Sequence, residues 1–149
     1  MELIPMKKEN LPQVLEIEKL SYTNPWTRES FLYEITENPL ATYLVAVEGE
    51  KVIGYGGIWI VLDEAHITTL AVHPDFRRKG IGEVLLKALI DLAKNRRVQN
   101  IILEVRVSNL AAQYLYKKIG FQPIGIRKKY YTRPEEDAVV MSLDLKEEN

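Results

Sequence analysis

Residues 70–82, with the sequence LAVHPDFRRKGIG, constrain the fold more than any other part of this chain. An apolar strand is expected to end at Val72, and the turn that follows carries three cations and two glycines. Apolar residues then recur at helical spacing, at positions Ile81, Val84, Leu85, Ala88, Leu89 and Leu92. The segment therefore predicts a strand, a tight basic turn and an amphipathic helix in direct succession.

A turn of this kind can bind an anion. The first backbone N–H groups of a helix lack partners within the helix, and the helix dipole places partial positive charge there. Gly80 and Gly82 let a phosphate approach the main chain without an intervening Cβ. The turn is neither a Walker P-loop, because no Gly-Lys-Ser/Thr follows, nor a dinucleotide fingerprint, because position 85 holds leucine instead of a third glycine. The alternative interpretation is a basic surface turn capped by glycines.

The composition indicates one globular domain spanning residues 1–149, with a mass of 17.2 kDa. The 20 Lys and Arg residues against 21 Asp and Glu give a formal charge of −1, which provides no general attraction for nucleic acid. The local basic patches lie at residues 77–79 and at 127–129 with Arg133. They suit a phosphate-bearing cofactor or an acidic peptide better than a duplex.

The absence of cysteine excludes disulfides, thiolate metal sites and a cysteine nucleophile. Because His66 and His73 are the only histidines, no metal site is expected. The first ten residues lack the apolar core of a signal peptide, and the longest apolar run, residues 58–62, is too short to cross a bilayer. We therefore expect a cytoplasmic protein without a membrane partner.

Hydrophobic periodicity and turn residues predict an α/β protein with the element order β-α-α-β-β-β-α-β-α-β-β. Strands are predicted at 2–6, 42–48, 52–61, 65–72, 100–109, 121–131 and 137–145. Helices are predicted at 9–21, after a cap at Thr27, at 80–95, and from Ser108 or Asn109 to Gly120.

The sequence Arg77-Arg78-Lys79-Gly80-Ile81-Gly82 resembles the Arg/Gln-x-x-Gly-x-Gly signature of the GCN5-related N-acetyltransferases (GNAT). The resemblance implies a mixed, mostly antiparallel seven-stranded sheet flanked by about four helices, in which the strands before and after the central helix diverge. It also implies that the turn binds the pyrophosphate of acetyl-CoA, whose pantetheine arm lies between those strands. The implied coenzyme-binding residues are Leu70, Ala71, Val72, Arg77, Arg78, Lys79, Gly80, Ile81, Gly82, Glu83, Asn109 and Tyr116.

Within that superfamily, four segments look like the bacterial ribosomal-protein alanine N-acetyltransferases: NPW at 24–26, LEVRVSNLAA at 103–112, LYKKIGF at 115–121 and RKKYY at 127–131. The resemblance implies transfer of an acetyl group to the N-terminal alanine of a small-subunit ribosomal protein. Trp26, Tyr130 and Tyr131 are candidates for the peptide groove. Hairpin packing of the tyrosines and a hydrophobic anchor at the tryptophan are the alternatives.

Glu104 and Tyr116 are the candidate catalytic residues. By pattern alone, Glu104 is a solvated or salt-bridged carboxylate in an apolar strand, and Tyr116 is a core tyrosine on a helix face. The matching family residues are the general base, which deprotonates the acceptor amine, and the acid, which protonates the departing thiolate. A main-chain N–H of residues 70–72 would stabilise the developing oxyanion.

Other polar residues have simpler interpretations. Asn109 can cap its helix as well as bind the coenzyme. His66 is expected to be structural, and Glu136 and Asp137 are expected to be solvated loop charges. Two further functions remain open: an acetyltransferase for small-molecule amines on the same fold, and a non-catalytic acyl-CoA-binding module.

Overall fold

A computed structural model describes residues 1–146 of the chain. Its strands are β1 (Glu2–Pro5), β2 (Ala41–Glu48), β3 (Lys51–Val61), β4 (Glu64–Val72), β5 (Asn100–Arg106), β6 (Gln122–Thr132) and β7 (Glu135–Asp144). Its α-helices are α1 (Leu11–Ser21), α2 (Arg28–Thr36), α3 (Ile81–Asn95) and α4 (Leu110–Ile119). Element order, sheet and helices confirm the fold expected from the sequence.

Helix boundaries follow from local capping. The Thr27 hydroxyl accepts the Ser30 N–H (3.1 Å) at the start of α2, and Asn109 Oδ1 accepts the Ala112 N–H (3.1 Å) at the start of α4. Helix α4 ends at Gly120, whose φ of 122° favours glycine. The cap that the sequence placed at Ser108 or Asn109 is therefore Asn109.

The seven strands form one sheet in the order β1-β2-β3-β4-β5-β7-β6. All neighbouring pairs are antiparallel except β4 and β5, which pair in parallel over only three residues each, from Glu64↔Asn100 to His66↔Ile102. Beyond these residues the two strands have no pairing. The register between β3 and β4 shifts at the same level, which leaves Thr68 as a bulge. A gap thus opens in the middle of the sheet.

Apolar clusters cover both faces of the sheet. Alternate residues of β5, including Ile101, Leu103 and Val105, are buried with residues of α3. On the opposite face, residues of α1 and α2 pack with β2 and β3. Glu104 lies on the face opposite Leu103, so the strand presents its one carboxylate to the α1–α2 side.

The buried face of α3 is rotated from the predicted stripe. Val84 is exposed, whereas Leu86, Ile90 and Ala93 are buried. The sheet beneath α3 contributes apolar residues from both β3 and β4, so the helix buries a wider face than the repeat starting at Ile81 indicated. None of the helices within residues 1–146 combines the length and apolarity needed to span a membrane.

Candidate active site

The turn between β4 and α3 presents main-chain donors. Arg78 and Gly80 adopt positive φ angles of 63° and 80°, and the helix begins at the next residue. The first helical hydrogen bond is donated by Val84 N–H to Gly80 O (3.1 Å), so the N–H groups of residues 81–83 precede it and have no partner within the helix. A Cβ added at Gly80 would meet nothing within 4 Å, so the surface there is open. Unpaired amides, a helix N-terminus and open space suit a phosphate.

Three of the four charged side chains in residues 77–83 contact other parts of the protein. Arg77 Nε donates to Val72 O (3.0 Å), and Lys79 Nζ lies 5.2 Å from the centre of the Phe76 ring. Glu83 pairs with two lysines, Lys118 at 2.8 Å and Lys87 at 2.9 Å. The hydrogen bond from Lys118 and then that from Lys87 lower the pKa of Glu83. The turn therefore offers mainly main-chain groups to a ligand, together with the exposed side chain of Arg78.

The gap beside β4 is lined by main-chain groups of alternate residues. His73 N–H donates to Ile53 O (2.8 Å). Because such bonded pairs recur at every second residue of an antiparallel ladder, Ala71 also faces β3, whereas Leu70 and Val72 face the gap. The Val72 carbonyl accepts the hydrogen bond from Arg77 Nε, and the Leu70 carbonyl accepts one from the Tyr22 hydroxyl (2.9 Å). The N–H groups of Leu70 and Val72 thus face the gap, and Ala71 does not contribute one.

Glu104 is the carboxylate at the head of this gap, two residues beyond the last pair of β4 and β5. Its side chain is only 7% exposed, its Oε1 lies 2.7 Å from His66 Nε2, and its Oε2 lies 3.9 Å from Arg127 Nε. Burial acts to raise the pKa of Glu104, but the hydrogen bond and charge of His66 together with the charge of Arg127 lower it overall. Glu104 is therefore ionised at neutral pH.

A cleft surrounds Glu104 on the α1–α2 side. It is lined by Trp59, His66, Arg127 and Tyr130 and has a volume of about 270 Å³. His66 was expected to be structural, and its partner turns out to be the candidate base itself. No local sequence pattern indicates this pair, because the two residues are 38 positions apart.

Tyr116 lies on the other face, on α4. It is 8% exposed and packs against Phe121 with ring centres 5.8 Å apart. Burial, followed by the nearby Tyr22 and Tyr131, raises the pKa of Tyr116, so the phenol keeps its proton. The Tyr116 hydroxyl forms no hydrogen bond within residues 1–146. Every fully buried polar side-chain atom in these residues has a partner, so this hydroxyl retains some exposure.

The three aromatic groove candidates occupy different surroundings. Trp26 packs on Phe31, with ring centres 5.1 Å apart, and borders a pocket beside α2. Tyr130 lines the Glu104 cleft, and Tyr131 stacks on Arg106, whose guanidinium carbon is 4.3 Å from the ring centre. Tyr130 also packs edge-on against Tyr131, with ring centres 5.0 Å apart, so all three aromatic residues have a packing partner and Tyr130 faces the cleft as well.

Glu136 and Asp137 are not the solvated loop charges that the sequence indicated. Both lie in β7, where Glu136 accepts bonds from the Ser108 N–H (2.6 Å) and Arg106 Nη1 (3.1 Å). The Ser108 hydrogen bond is the main cause that lowers the pKa of Glu136. Asp137 Oδ1 accepts the Lys129 N–H (2.9 Å). The Glu136 contacts were missed because they join residues 28 and 30 positions apart, and the Asp137 contact because it crosses the β6–β7 hairpin.

The β6–β7 hairpin is fastened to the loop that joins α1 and α2. Asn24 Nδ2 donates to Thr132 Oγ1 (2.8 Å), and the Thr23 hydroxyl donates to the carbonyl of Arg133. Arg106 Nη2 donates to the same carbonyl (3.3 Å). The tip of the hairpin is therefore tied to this loop and to the end of β5.

Comparison with known proteins agrees with this architecture. The sequence profile of the Acetyltransferase (GNAT) family matches residues 11–121. A Bacillus subtilis relative, provisionally named a ribosomal protein bS18-alanine N-acetyltransferase, is 48% identical, covering 95% of this chain and 94% of its own. The crystal structure of the Escherichia coli ribosomal-protein-S18-alanine N-acetyltransferase superposes with a TM-score of 0.87 at 34% identity, over 96% of this chain and 92% of that one. A chain of the NatC complex bound to Gag peptide and CoA has a TM-score of 0.82 at 25% identity, over 98% and 100% of the two chains.

A seven-stranded sheet that parts at its centre, beside a helix with free amides, is the architecture of an acyl-CoA-dependent transferase. The chain belongs to the GNAT acetyltransferase family. These matches also confirm its resemblance to the ribosomal-protein alanine N-acetyltransferases.

Proposed function

We propose that this protein transfers an acetyl group from acetyl-CoA to the N-terminal amine of a protein, namely the N-terminal alanine of ribosomal protein bS18. The names of its relatives support this substrate, since they match over nearly the full length of the chain. The observation that carries the proposal is Glu104, an ionised and nearly buried carboxylate at the point where β4 and β5 part. The reaction would take place in the cytoplasm.

The residues around the gap fit acetyl-CoA. The N–H groups of residues 81–83 would bind the pyrophosphate, and open space at Gly80 leaves room for it. Leu70 and Val72 would pair with the pantetheine arm through main-chain groups that face the gap. Bound acetyl-CoA supplies an activated thioester and a thiol leaving group. Arg78 and Asn109 would add side-chain contacts to the coenzyme, and Lys79, which lies on Phe76, would contribute less.

On the acceptor side, Glu104 accepts a proton from the amine, directly or through one water molecule. The hydrogen bond to His66 holds the carboxylate in place and keeps it ionised. The acceptor amine must lose a proton before it attacks the thioester. Because Glu104 is ionised at neutral pH, it can accept this proton at every turnover.

On the coenzyme side, the Val72 N–H would stabilise the negative charge that develops on the thioester carbonyl oxygen. Tyr116, whose raised pKa keeps it protonated, donates its proton to the departing thiolate. The amine first gives one proton to Glu104, and its nitrogen then forms the new C–N bond while the C–S bond breaks. The phenol proton passes to the thiolate, and the second proton lost by the nitrogen restores the Tyr116 phenol, directly or through water. The proton on Glu104 is released to solvent. No covalent enzyme intermediate is required.

Mass spectrometry of reaction products tests the proposal. The purified protein would be incubated with acetyl-CoA and a peptide that begins with the N-terminal alanine of bS18. We expect one added acetyl group on the α-amine and none on the same peptide with a blocked N-terminus. Acetylation of free polyamines or aminoglycosides in preference to the peptide would support the small-molecule alternative. Coenzyme binding without thiol release from any acceptor would support the non-catalytic one.

A further inference from the structure

A second pocket lies next to the Glu104 cleft and has no part in the reaction described above. It is bordered by α2 and by the end of β3, and its volume is about 430 Å³. Its walls are formed by Trp26, Glu29, Ser30, Tyr33, Glu34 and Trp59. Trp59 lines this pocket and also the Glu104 cleft, so the two spaces share a wall.

The aromatic walls of the pocket are held in place. Trp59 Nε1 donates to Glu34 Oε1 (2.5 Å), and the Trp59 ring meets His66 edge-on with ring centres 6.0 Å apart. The Trp26 ring packs on Phe31, and the backbone N–H of Trp26 donates to Glu18 Oε2 (2.8 Å). Rigid aromatic faces of this kind attract cations through their electron-rich surfaces.

The floor of the pocket carries a carboxylate whose partners are all neutral. Glu34 is 6% exposed and accepts hydrogen bonds from the Tyr43 hydroxyl (2.8 Å), Asn38 Nδ2 (2.8 Å) and Trp59 Nε1. Within residues 1–146, no Lys, Arg or His forms an ion pair with Glu34 or with Glu29. Both oxygens of Glu34 therefore bind neutral donors, and the pocket presents two acidic side chains, Glu29 and Glu34, that no cation among the described residues neutralises by direct pairing.

We infer that this pocket binds the positively charged side chain of a lysine or arginine that closely follows the acetylated residue in the acceptor protein. The inference rests on the proposed function, because it assumes an acceptor amine at Glu104. The cation would lie between aromatic faces and near two carboxylates, an arrangement that favours a cation over an apolar or acidic side chain. The pocket would therefore make the enzyme selective for N-termini with a basic residue close to the end.

Peptide kinetics test the inference. The panel would consist of peptides beginning with alanine that carry Lys, Gln or Glu at position two, three or four, with all other residues uncharged. At one of these positions we expect kcat/KM to be about tenfold higher for Lys than for Gln, and lower still for Glu. Added salt should reduce the preference.

Variants would locate the preference in this pocket. Glu29→Gln, at the exposed rim, should reduce the preference for Lys about threefold and leave the rate with the Gln peptide unchanged. Glu34→Gln should reduce the preference for Lys further, provided that circular dichroism shows the variant to be folded. If this variant does not fold, the result for Glu29→Gln decides between the outcomes. Glu37→Gln, an exposed glutamate after the end of α2 and outside the pocket, is the matched control and should have no effect.

The outcomes separate this inference from the function on which it rests. Equal kcat/KM for the Lys, Gln and Glu peptides at all three positions would overturn the inference and leave N-terminal acetylation standing. A Lys preference that Glu29→Gln leaves unchanged would also overturn it, because the preference would then arise outside this pocket. Equal reductions by Glu29→Gln and Glu37→Gln would overturn it as well, because long-range charge would then explain the preference. Transfer to no peptide at all would overturn both.

Discussion

The coenzyme corner and the acceptor cleft are built from different parts of the polypeptide. The corner is one continuous segment, residues 77–83, in which the N–H groups of residues 81–83 have no partner within the helix and the side chains of Arg77 and Glu83 bind to the protein itself. The acceptor cleft is built of side chains, with Trp59 from β3, His66 from β4, Glu104 from β5 and Tyr130 from β6. A site made of main chain tolerates many side-chain changes, whereas a site made of side chains depends on each of them.

The largest effect is expected at Glu104. Glu104→Gln keeps the shape of the side chain but removes the proton acceptor, so kcat should fall by about 100-fold or more while the Kd of acetyl-CoA stays the same. Steady-state kinetics and calorimetry measure the two quantities. Glu64→Gln, which changes a charge in the same cleft, should reduce kcat less than threefold. A kcat within a few-fold of the wild type would show that Glu104 is not the base.

The coenzyme corner and the acceptor cleft also differ in how far the sequence predicts them. The corner was predictable, because Gly80, Gly82 and the apolar spacing of α3 are local signals within one segment. The mixed, mostly antiparallel pairing of the sheet was predictable only through the family resemblance. The pairing of His66 with Glu104 and the bonds from Tyr43 and Trp59 to Glu34 were not predictable, because each joins strands or helices that come together only in the folded sheet. The rotated face of α3 was missed because burial depends on what lies beneath the helix.

A smaller effect is expected from the main chain of the corner. Gly80→Ala places a Cβ on a residue with a φ of 80°, and the resulting strain should raise the Kd of acetyl-CoA about tenfold. The nearby Lys79→Ala removes a side chain that lies on Phe76 and should change this Kd less than threefold. If Lys79→Ala has the larger effect in calorimetry, side chains rather than amides bind the phosphates.

The smallest effect is a shift in pH dependence. His66→Ala removes the hydrogen bond and charge that lower the pKa of Glu104, while burial continues to raise it. Glu104 must lose its proton to act as a base, so the acidic limb of the kcat profile should move to higher pH in the variant. Activity at pH 8 should fall only a few-fold. An acidic limb that does not move would mean that His66 does not control the ionisation of Glu104.

Nuclear magnetic resonance of the protein labelled with ¹⁵N tests the separation of the two sites most directly. Addition of CoA should shift the amide signals of Gly80, Ile81 and Gly82 and leave the indole signals of the two tryptophans in place. Addition of an N-terminal acceptor peptide should shift the Trp59 indole, whose N–H is bonded to Glu34 beside the acceptor cleft, and leave the corner amides in place. Corner amides that do not respond to CoA would contradict the account.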